Sequence, residues 1–229
     1  MPDIVPNGVA HRRPIFRVGL FLGCAILILL ALNAVYSFAS TLHQLDVVES
    51  ERDRWQRPAE VLRALDLRPG NTVADLGSGA GYFALKLSPV VGDRGQVLAA
   101  DLRRLSLFFL WNRALLKGQR NLQIIVSEEN DPRLPTGAVE AVLICNTYHE
   151  FSDPELIVNR VFQSLRSGGR LVVVDRAPRA TETPHAHEVP LAAVEGQLRK
   201  QGFEIVTQND SFIDRPGDDL WWLLTARKP

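Results

Sequence analysis

The sequence predicts an α/β protein in which a doubly wound, seven-stranded mixed sheet follows one transmembrane helix. Three patterns support this architecture. Five short apolar segments alternate with helical segments, which is typical of parallel strands covered by helices on both faces. The last two strand-like segments are separated only by the loop NDSFIDRPGDD, and such loops join antiparallel neighbours. Because of this loop, we expect the last strand to run antiparallel to its neighbours. An uncharged run at residues 18–39 precedes all of these segments and is the predicted transmembrane helix.

The run at residues 18–39, VGLFLGCAILILLALNAVYSFA, is long enough to cross a bilayer. A spanning helix needs about 20 apolar residues, and a helix in a soluble core keeps a polar face that this run lacks. It is interpreted as a permanent anchor or as a cleaved signal peptide with Ser37-Phe38-Ala39 as the cleavage site, and its length favours the anchor. The predicted organisation is a tail, a transmembrane helix, a connector and one domain, at 1–17, 18–39, 40–57 and 58–229.

Charge near this run predicts its orientation. Arg12, Arg13 and Arg17 lie directly before it, so the positive-inside rule places the N-terminus in the cytoplasm and the domain outside. We expect a single-pass protein of a bacterial inner membrane, and the side on which the domain lies stays open. The chain has 26 basic and 26 acidic residues and no formal net charge, which argues against nucleic-acid binding. The sequence does not predict an oligomeric state.

The elements of the domain follow from hydrophobic periodicity and from boundary residues. Pro58 is favoured in a first helical turn, and Asp153-Pro154 supplies the N-cap and first position of a later helix. Ser167-Gly168-Gly169 is predicted to end that helix. The predicted helices are 58–67, 81–88, 103–117, 153–166 and 189–201. The predicted strands are 72–76, 96–101, 122–127, 139–146, 170–175, 203–208 and 220–227.

A glycine-rich loop within VADLGSGAGYF follows the first predicted strand and opens a helix. Bare glycines let the backbone approach a ligand and offer N–H donors to it. Tyr82 occupies the third glycine position of the dinucleotide fingerprint, and the Gly-Lys pair of a phosphate-binding loop is absent. Asp75 before the loop favours a cationic group, and Asp101 at the end of the next strand is placed to accept ribose hydroxyls. The predicted ligand is a nucleoside that carries a positive charge.

Together with VLAAD, DPRLP, AVLICNTYHEF and LRSGGRLVVVD, this loop resembles the class I S-adenosylmethionine-dependent methyltransferases, in particular the methyltransferase type 11 group. The resemblance covers about residues 55–227 and implies a Rossmann-like fold with S-adenosylmethionine as the cofactor. It implies an adenine contact within residues 127–131, where we expect Asp131 and where Glu128, Glu129 and Asn130 compete. The other cofactor-binding residues that it implies are Asp75, Gly77, Gly79, Gly81, Asp101 and Asn146.

Methyl transfer requires that donor and acceptor are aligned, and it requires a base only when the acceptor carries a proton. His149 follows the fourth strand in NTYHEF and is the candidate base. The alternative for His149 is a hydrogen-bonded structural histidine at the start of a helix. Glu150 and Tyr148 are weaker candidates for the base.

No metal site is expected. Cys24 and Cys145 lack the spacing of metal ligands, and His185 and His187 have no third ligand nearby in the sequence. The segment PHAHEVP is instead interpreted as a solvated loop or as a lid over the substrate.

The stretch 105–117 of the predicted helix at 103–117, LSLFFLWNRALLK, is more apolar than a helix that covers a sheet with one face requires. It is interpreted either as a well-buried helix or as a surface that meets a membrane, a partner or a lipid substrate. Basic residues surround it, and they would suit an anionic lipid surface.

The predicted function is that of a membrane-anchored methyltransferase acting on a small acceptor, for which the anchor favours a lipophilic one. Asp75 and Tyr82 disfavour a nicotinamide-dependent oxidoreductase. The alternative is a catalytically inactive module of the same fold that binds a nucleoside or serves in assembly. That alternative applies if the domain faces outward, where S-adenosylmethionine is not expected.

Overall fold

A computed structural model describes residues 13–179 and 187–229 of the protein, with side chains from residue 22 onward. The chain divides into two compact units, Met1–Val47 and Val48–Pro229. Helix α1 (Arg13–Trp55) is continuous, so the predicted connector is helical over most of its length. An 18-residue window of α1 has a mean hydropathy of 2.1 and no buried residue. By length and composition, α1 can cross a membrane.

The second unit contains the remaining elements that the described residues form. The helices are α2 (Pro58–Ala64), α3 (Ala84–Val91), α4 (Arg104–Leu116), α5 (Pro154–Ser164) and α6 (Leu191–Gln201). The strands are β1 (Thr72–Leu76), β2 (Gln96–Asp101), β3 (Leu122–Val126), β4 (Val139–Cys145), β5 (Leu165–Ala177), β6 (Glu204–Asp214) and β7 (Leu220–Arg227). A short 3-10 turn, Tyr148–Glu150, follows β4.

The seven strands form one sheet in the order β3-β2-β1-β4-β5-β7-β6. β1 to β5 pair in parallel, and β7 pairs antiparallel with both β5 and β6. The predicted mixed sheet with an antiparallel last strand is confirmed. The strand order reverses between β1 and β4, and ligands of such sheets bind in the crevice outside the carboxyl ends of the strands at this switch point.

Side-chain alternation along the strands builds one apolar core on each face of the sheet. Val73 packs on the face covered by α3 and α4, whereas Ala74 packs on the face covered by α5 and α6. Trp221 and Trp222, which are consecutive in β7, divide between the two faces in the same way. Both faces of the sheet are therefore covered by apolar packing.

Several boundaries differ from the predicted ones, three of them for identifiable reasons. α3 begins at Ala84 because Gly81, with φ of 100°, still belongs to the preceding turn. β5 begins at Leu165, before the glycines of SGG, because Leu165 already pairs with Val139 and a register shift follows. β6 extends into the predicted loop NDSFIDRPGDD, which leaves a tight turn closed by the Arg215 N–H and the Asp219 carbonyl at 2.9 Å.

The last turns of α1 belong to the second unit, which begins at Val48, inside this helix. Asp53 accepts a hydrogen bond from the Tyr82 hydroxyl at 2.8 Å. Glu49 pairs with the buried Arg113 at 2.5 Å, and Arg113 also donates to a carbonyl of the glycine-rich loop at 2.6 Å. The C-terminal end of α1 is therefore packed against the loop that follows β1.

Candidate functional site

The glycine-rich loop connects β1 to α3 through backbone conformations that favour glycine. Gly77, Gly79 and Gly81 have φ of 77°, 54° and 100°. A Cβ at Gly77 would overlap the Thr147 side chain, and a Cβ at Gly81 would overlap Leu110. A Cβ at Gly79 would meet nothing within 4 Å. Gly77 and Gly81 are thus needed for close packing, whereas the backbone at Gly79 borders open space that a ligand can enter.

Asp101 ends β2 and connects the loop to the start of α4. One carboxylate oxygen of this buried residue accepts the Gly79 N–H at 2.8 Å, and the other accepts the Arg103 N–H at 2.7 Å. The same side chain lines a cavity. Asp101 therefore holds the loop in place at the strand end where the sequence predicts a ribose-binding acid.

That cavity has a volume of about 410 Å³ and lies over the carboxyl ends of β1, β2 and β3. Ligand pockets typically have volumes of about 300–1,000 Å³. Ser127, Glu128 and Glu129, which follow β3, line the cavity together with Asp101. Asp131 is not among the described lining residues, and its carboxylate accepts the N–H of Arg133 at 2.8 Å. The structure thus brings the start of segment 127–131 to Asp101, and the role of Asp131 stays a prediction.

Asp75 lies within β1, one residue before its carboxyl end, with only 3% of its surface exposed. Its Oδ2 atom has no hydrogen-bond partner. Burial raises the pKa of this carboxyl to about 7, the Ala84 N–H opposes the rise, and the Asp101 charge adds to it. An unpaired buried carboxylate is costly, so this position fits a cationic ligand group that would pair with it.

The stability of the ligand-free protein is expected to fall as the pH rises from 3.8, the ordinary pKa of this carboxyl, toward about 7. In this interval the folded state still holds the Asp75 proton while the unfolded state has released it, so rising pH favours unfolding. Thermal denaturation across the interval, compared between the wild type and Asp75→Asn, measures the effect. The variant should flatten the profile, and a profile that keeps its slope would assign the dependence to another group.

His149 lies in the 3-10 turn after β4 and contacts Asp175, which lies near the carboxyl end of β5. The ring Nδ1 atom is 2.8 Å from Asp175 Oδ1, and the His149 N–H donates to Oδ2 at 3.2 Å. Asp175 is fully buried, and the His149 side chain is 4% exposed. With Nδ1 donating to this carboxylate, Nε2 is the ring nitrogen that can accept a proton, and it lies 4.0 Å from Glu150 Oε1. This geometry suits a base, and it suits a structural histidine equally.

Asn146 directly follows β4, with φ of 55°, a conformation that asparagine tolerates better than most residues. Its Oδ1 accepts a hydrogen bond from Arg176 Nε at 3.2 Å. The preceding Cys145 Sγ receives a hydrogen bond from the buried Gln56 at 3.4 Å, and Gln56 Oε1 accepts one from Arg52 Nε at 2.7 Å. The end of α1 and the end of β5 therefore meet at the end of β4.

Sequence reasoning missed several of these residues. Asp175 carries a signal that could have identified it, because an acid ends the buried run VVVD. Arg52, Gln56 and Arg176 carry none, because they reach the site through the packing of α1 and β5 rather than through a motif.

The described residues contain no group of three or more potential metal ligands. His185 lies outside the described residues. The ring centre of His187 lies 5.3 Å from that of His149, the candidate base. The expectation that the site needs no metal stays a prediction.

Solved structures share this architecture. A SAM-dependent methyltransferase from Aquifex aeolicus superimposes with a TM-score of 0.68 and 25% identity, covering 82% of this chain and 96% of that one. Phosphoethanolamine N-methyltransferase 2 of Haemonchus contortus, in complex with S-adenosyl-L-methionine, gives a TM-score of 0.66 at 14% identity, covering 76% of this chain and 53% of that one. The [4+2]-cyclase SpnF gives a TM-score of 0.68 at 19% identity, covering 76% of this chain and 80% of that one. The last two show the fold alone, so the fold does not by itself establish methyl transfer.

Curated relatives are ubiquinone/menaquinone biosynthesis C-methyltransferases. The Vibrio campbellii protein is 28% identical over 109 residues, 47% of this chain and 42% of its own length. The Pseudomonas fluorescens protein is 30% identical over 110 residues, 48% and 43% of the two chains. The matched segment thus spans less than half the length of these relatives. The ubiE/COQ5 methyltransferase family matches residues 35–188, most of the chain. The chain therefore belongs to the ubiE/COQ5 methyltransferase family, and its family and fold support S-adenosylmethionine as its cofactor.

Proposed function

We propose that this protein is an S-adenosylmethionine-dependent methyltransferase, held at a membrane by residues 18–39, that acts on a small lipophilic acceptor. The observation that carries the proposal is the buried Asp75 carboxylate, of which one oxygen lacks a hydrogen-bond partner. The methionine part of the cofactor is cationic and would supply that partner. The open space beside Gly79 and the cavity bordered by Asp101 also fit the cofactor.

The residues around the cavity would hold different parts of the cofactor. Asp101 would accept the ribose hydroxyls, since its carboxylate lies on the cavity wall at the end of β2. Segment 127–131 would border the adenine, with Asp131 as the predicted contact and the cavity-lining Glu128 and Glu129 as alternatives. Asn146 would lie at the methionine end, next to the end of β4.

His149 is proposed as the base that prepares the acceptor. The bound cofactor supplies an electrophilic methyl group, so the acceptor must present a nucleophilic atom. Asp175 holds the imidazole through Nδ1, so Nε2, which lies 4.0 Å from Glu150 Oε1, would take a proton from a hydroxyl of the acceptor. Loss of that proton makes the acceptor more electron-rich and thus a better nucleophile. The chain's contribution is therefore to bind, to orient and to remove a proton.

A quinol is the class of acceptor to test first. The curated relatives are C-methyltransferases of ubiquinone/menaquinone biosynthesis, and quinols are both lipophilic and hydroxylated. Deprotonation of a quinol hydroxyl would raise the electron density of the ring carbon that takes the methyl group from the sulfonium. That carbon would then lose its own proton, which restores the aromatic ring. The proposed base therefore suits this class.

Calorimetry on the full-length protein in detergent tests the cofactor assignment. We expect S-adenosylmethionine and S-adenosylhomocysteine to bind and NADH, the control ligand, not to bind. Transfer of a labelled methyl group to 1,4-naphthoquinol then tests the reaction. Retention of NADH in place of S-adenosylmethionine would overturn the assignment in favour of an oxidoreductase.

The arginines before the span favour the second candidate, an inactive nucleoside-binding or assembly module that faces outward, because they orient the N-terminus toward the cytoplasm. A topology reporter fused after Pro229 separates the two candidates. The methyltransferase requires a cytoplasmic C-terminus, where the cofactor is found. An external C-terminus together with no binding of S-adenosylmethionine would overturn the proposed function.

A further inference from the structure

Helix α4 buries one face against the sheet and exposes another face that is also apolar. Its inner face consists of Leu107, Leu110, Arg113 and Ala114. The outer face carries five large apolar side chains within about 140° of arc, at the 100° per residue of an α-helix. Their exposed fractions are 68% for Leu105, 48% for Phe108, 50% for Trp111, 55% for Leu115 and 74% for Leu116. We call these five residues the α4 face.

The α4 face departs from the usual pattern of a helix that covers a sheet. Such a helix turns polar residues to solvent, and contiguous exposed apolar patches mark interaction sites. The interpretation of residues 105–117 as a well-buried helix is therefore wrong for this outer face. Something other than water is expected to cover it.

The charge around the α4 face identifies the occupant. The chain carries no acidic residue from Leu102 to Ser127, whereas Arg104, Lys117 and Arg120 are exposed in this stretch. The described ion pairs include none of these three basic residues. An apolar face with an unneutralised basic border matches a bilayer whose headgroups are anionic.

A second copy of the chain fits this surface less well. A symmetric dimer brings the same patch of both copies together, so the basic residues of one border would face those of the other. Like charges at such an interface are costly, and no acid in this stretch offsets them. A lipid surface carries the opposite charge.

We infer that the α4 face docks on an anionic lipid surface, as a membrane contact separate from residues 18–39. Trp111 suits this role because tryptophan is enriched at membrane interfaces. Leu102 and Arg103, which precede α4, line the cavity at the candidate site. If the proposed function holds, on which this last step rests, docking places the cavity edge at the bilayer, where a lipophilic acceptor is dissolved.

Trp111 supplies a direct readout in the full-length protein. The chain has four tryptophans, and residues 18–39 contain none of them, so fluorescence lost in Trp111→Phe belongs to Trp111. The protein is reconstituted into vesicles of phosphatidylcholine with and without phosphatidylglycerol, in which some acyl chains carry bromine. We expect bromine to quench the Trp111 component in the anionic vesicles, and less so in the neutral ones.

Leu115→Glu should abolish this quenching, because a charge would enter the lipid-facing surface. Leu156→Glu is the matched control, since Leu156 is an exposed leucine on α5, and it should leave the quenching unchanged. If Trp111 stays unquenched although the vesicles retain the protein, the inferred docking surface is overturned, and the anchor at 18–39 is not affected. A dimer that Leu115→Glu dissociates, with Trp111 unquenched, overturns it in favour of a second copy. Quenched Trp111 in a protein that alkaline carbonate extracts supports the docking surface and rejects the permanent anchor.

Discussion

Turnover of the His149→Ala protein is expected to fall by about 10²–10⁴-fold, with its affinity for S-adenosylmethionine unchanged. The imidazole is the group proposed to accept a proton, through Nε2, because its Nδ1 is held by Asp175 at 2.8 Å. Transfer of a labelled methyl group to 1,4-naphthoquinol measures turnover, and calorimetry measures the affinity for the cofactor. The alanine removes both the base and the contact with Asp175.

His187→Ala is the matched control, because its ring lies 5.3 Å from that of His149 and it is not held by Asp175. We expect this variant to keep its turnover. Asp175→Asn should also lower turnover, because Asp175 orients the imidazole. If the His149→Ala protein keeps full turnover, His149 is not the base. If it loses cofactor affinity and thermal stability together with turnover, His149 is a structural residue.

Asp101→Ala is expected to weaken binding of S-adenosylmethionine by about 1.5–3 kcal/mol, or roughly 10- to 150-fold in affinity. The reason is the loss of charge-assisted hydrogen bonds to the ribose and of the carboxylate that holds the Gly79 N–H at 2.8 Å. The free loop would then have to be ordered when the ligand binds. Calorimetry on the full-length protein measures the change.

Asp93→Ala is the control for this experiment, because Asp93 is exposed and precedes β2, at the opposite end of the strand from Asp101. Its cofactor affinity should equal that of the wild type. An Asp101→Ala protein that binds the cofactor as tightly as the wild type would show that Asp101 serves the loop alone. The ribose would then need another partner among the cavity-lining residues after β3.

Much of the fold was predictable because it depends on local chemistry. Buried parallel strands are short apolar runs, so the number of strands and the antiparallel end of the sheet follow from the spacing of those runs and from the loop NDSFIDRPGDD. Boundaries were less predictable because they depend on pairing. β5 begins at Leu165 since a strand partner, Val139, is available there, and no residue in SGG signals this.

The candidate site divides in the same way. The residues on the glycine-rich loop and at the strand ends, such as Gly79 and Asp101, were predictable because they follow apolar strands directly, and parallel strands place their carboxyl ends at one edge. The pairing of His149 with Asp175 was not, since the two residues lie on different elements that only the sheet order β4-β5 brings together.

The amino-acid sequence alone is enough to predict the class of ligand and the presence of an apolar segment of membrane-spanning length. Glycine spacing, two acids and a run without charge act through short-range properties that need no partner. Packing alone reveals that the end of α1 lies against the glycine-rich loop and that the outer face of α4 is exposed. Burial depends on residues that are distant in the chain. The local sequence of an apolar helix such as α4 is therefore the same whether the helix is covered by the protein core or by another surface.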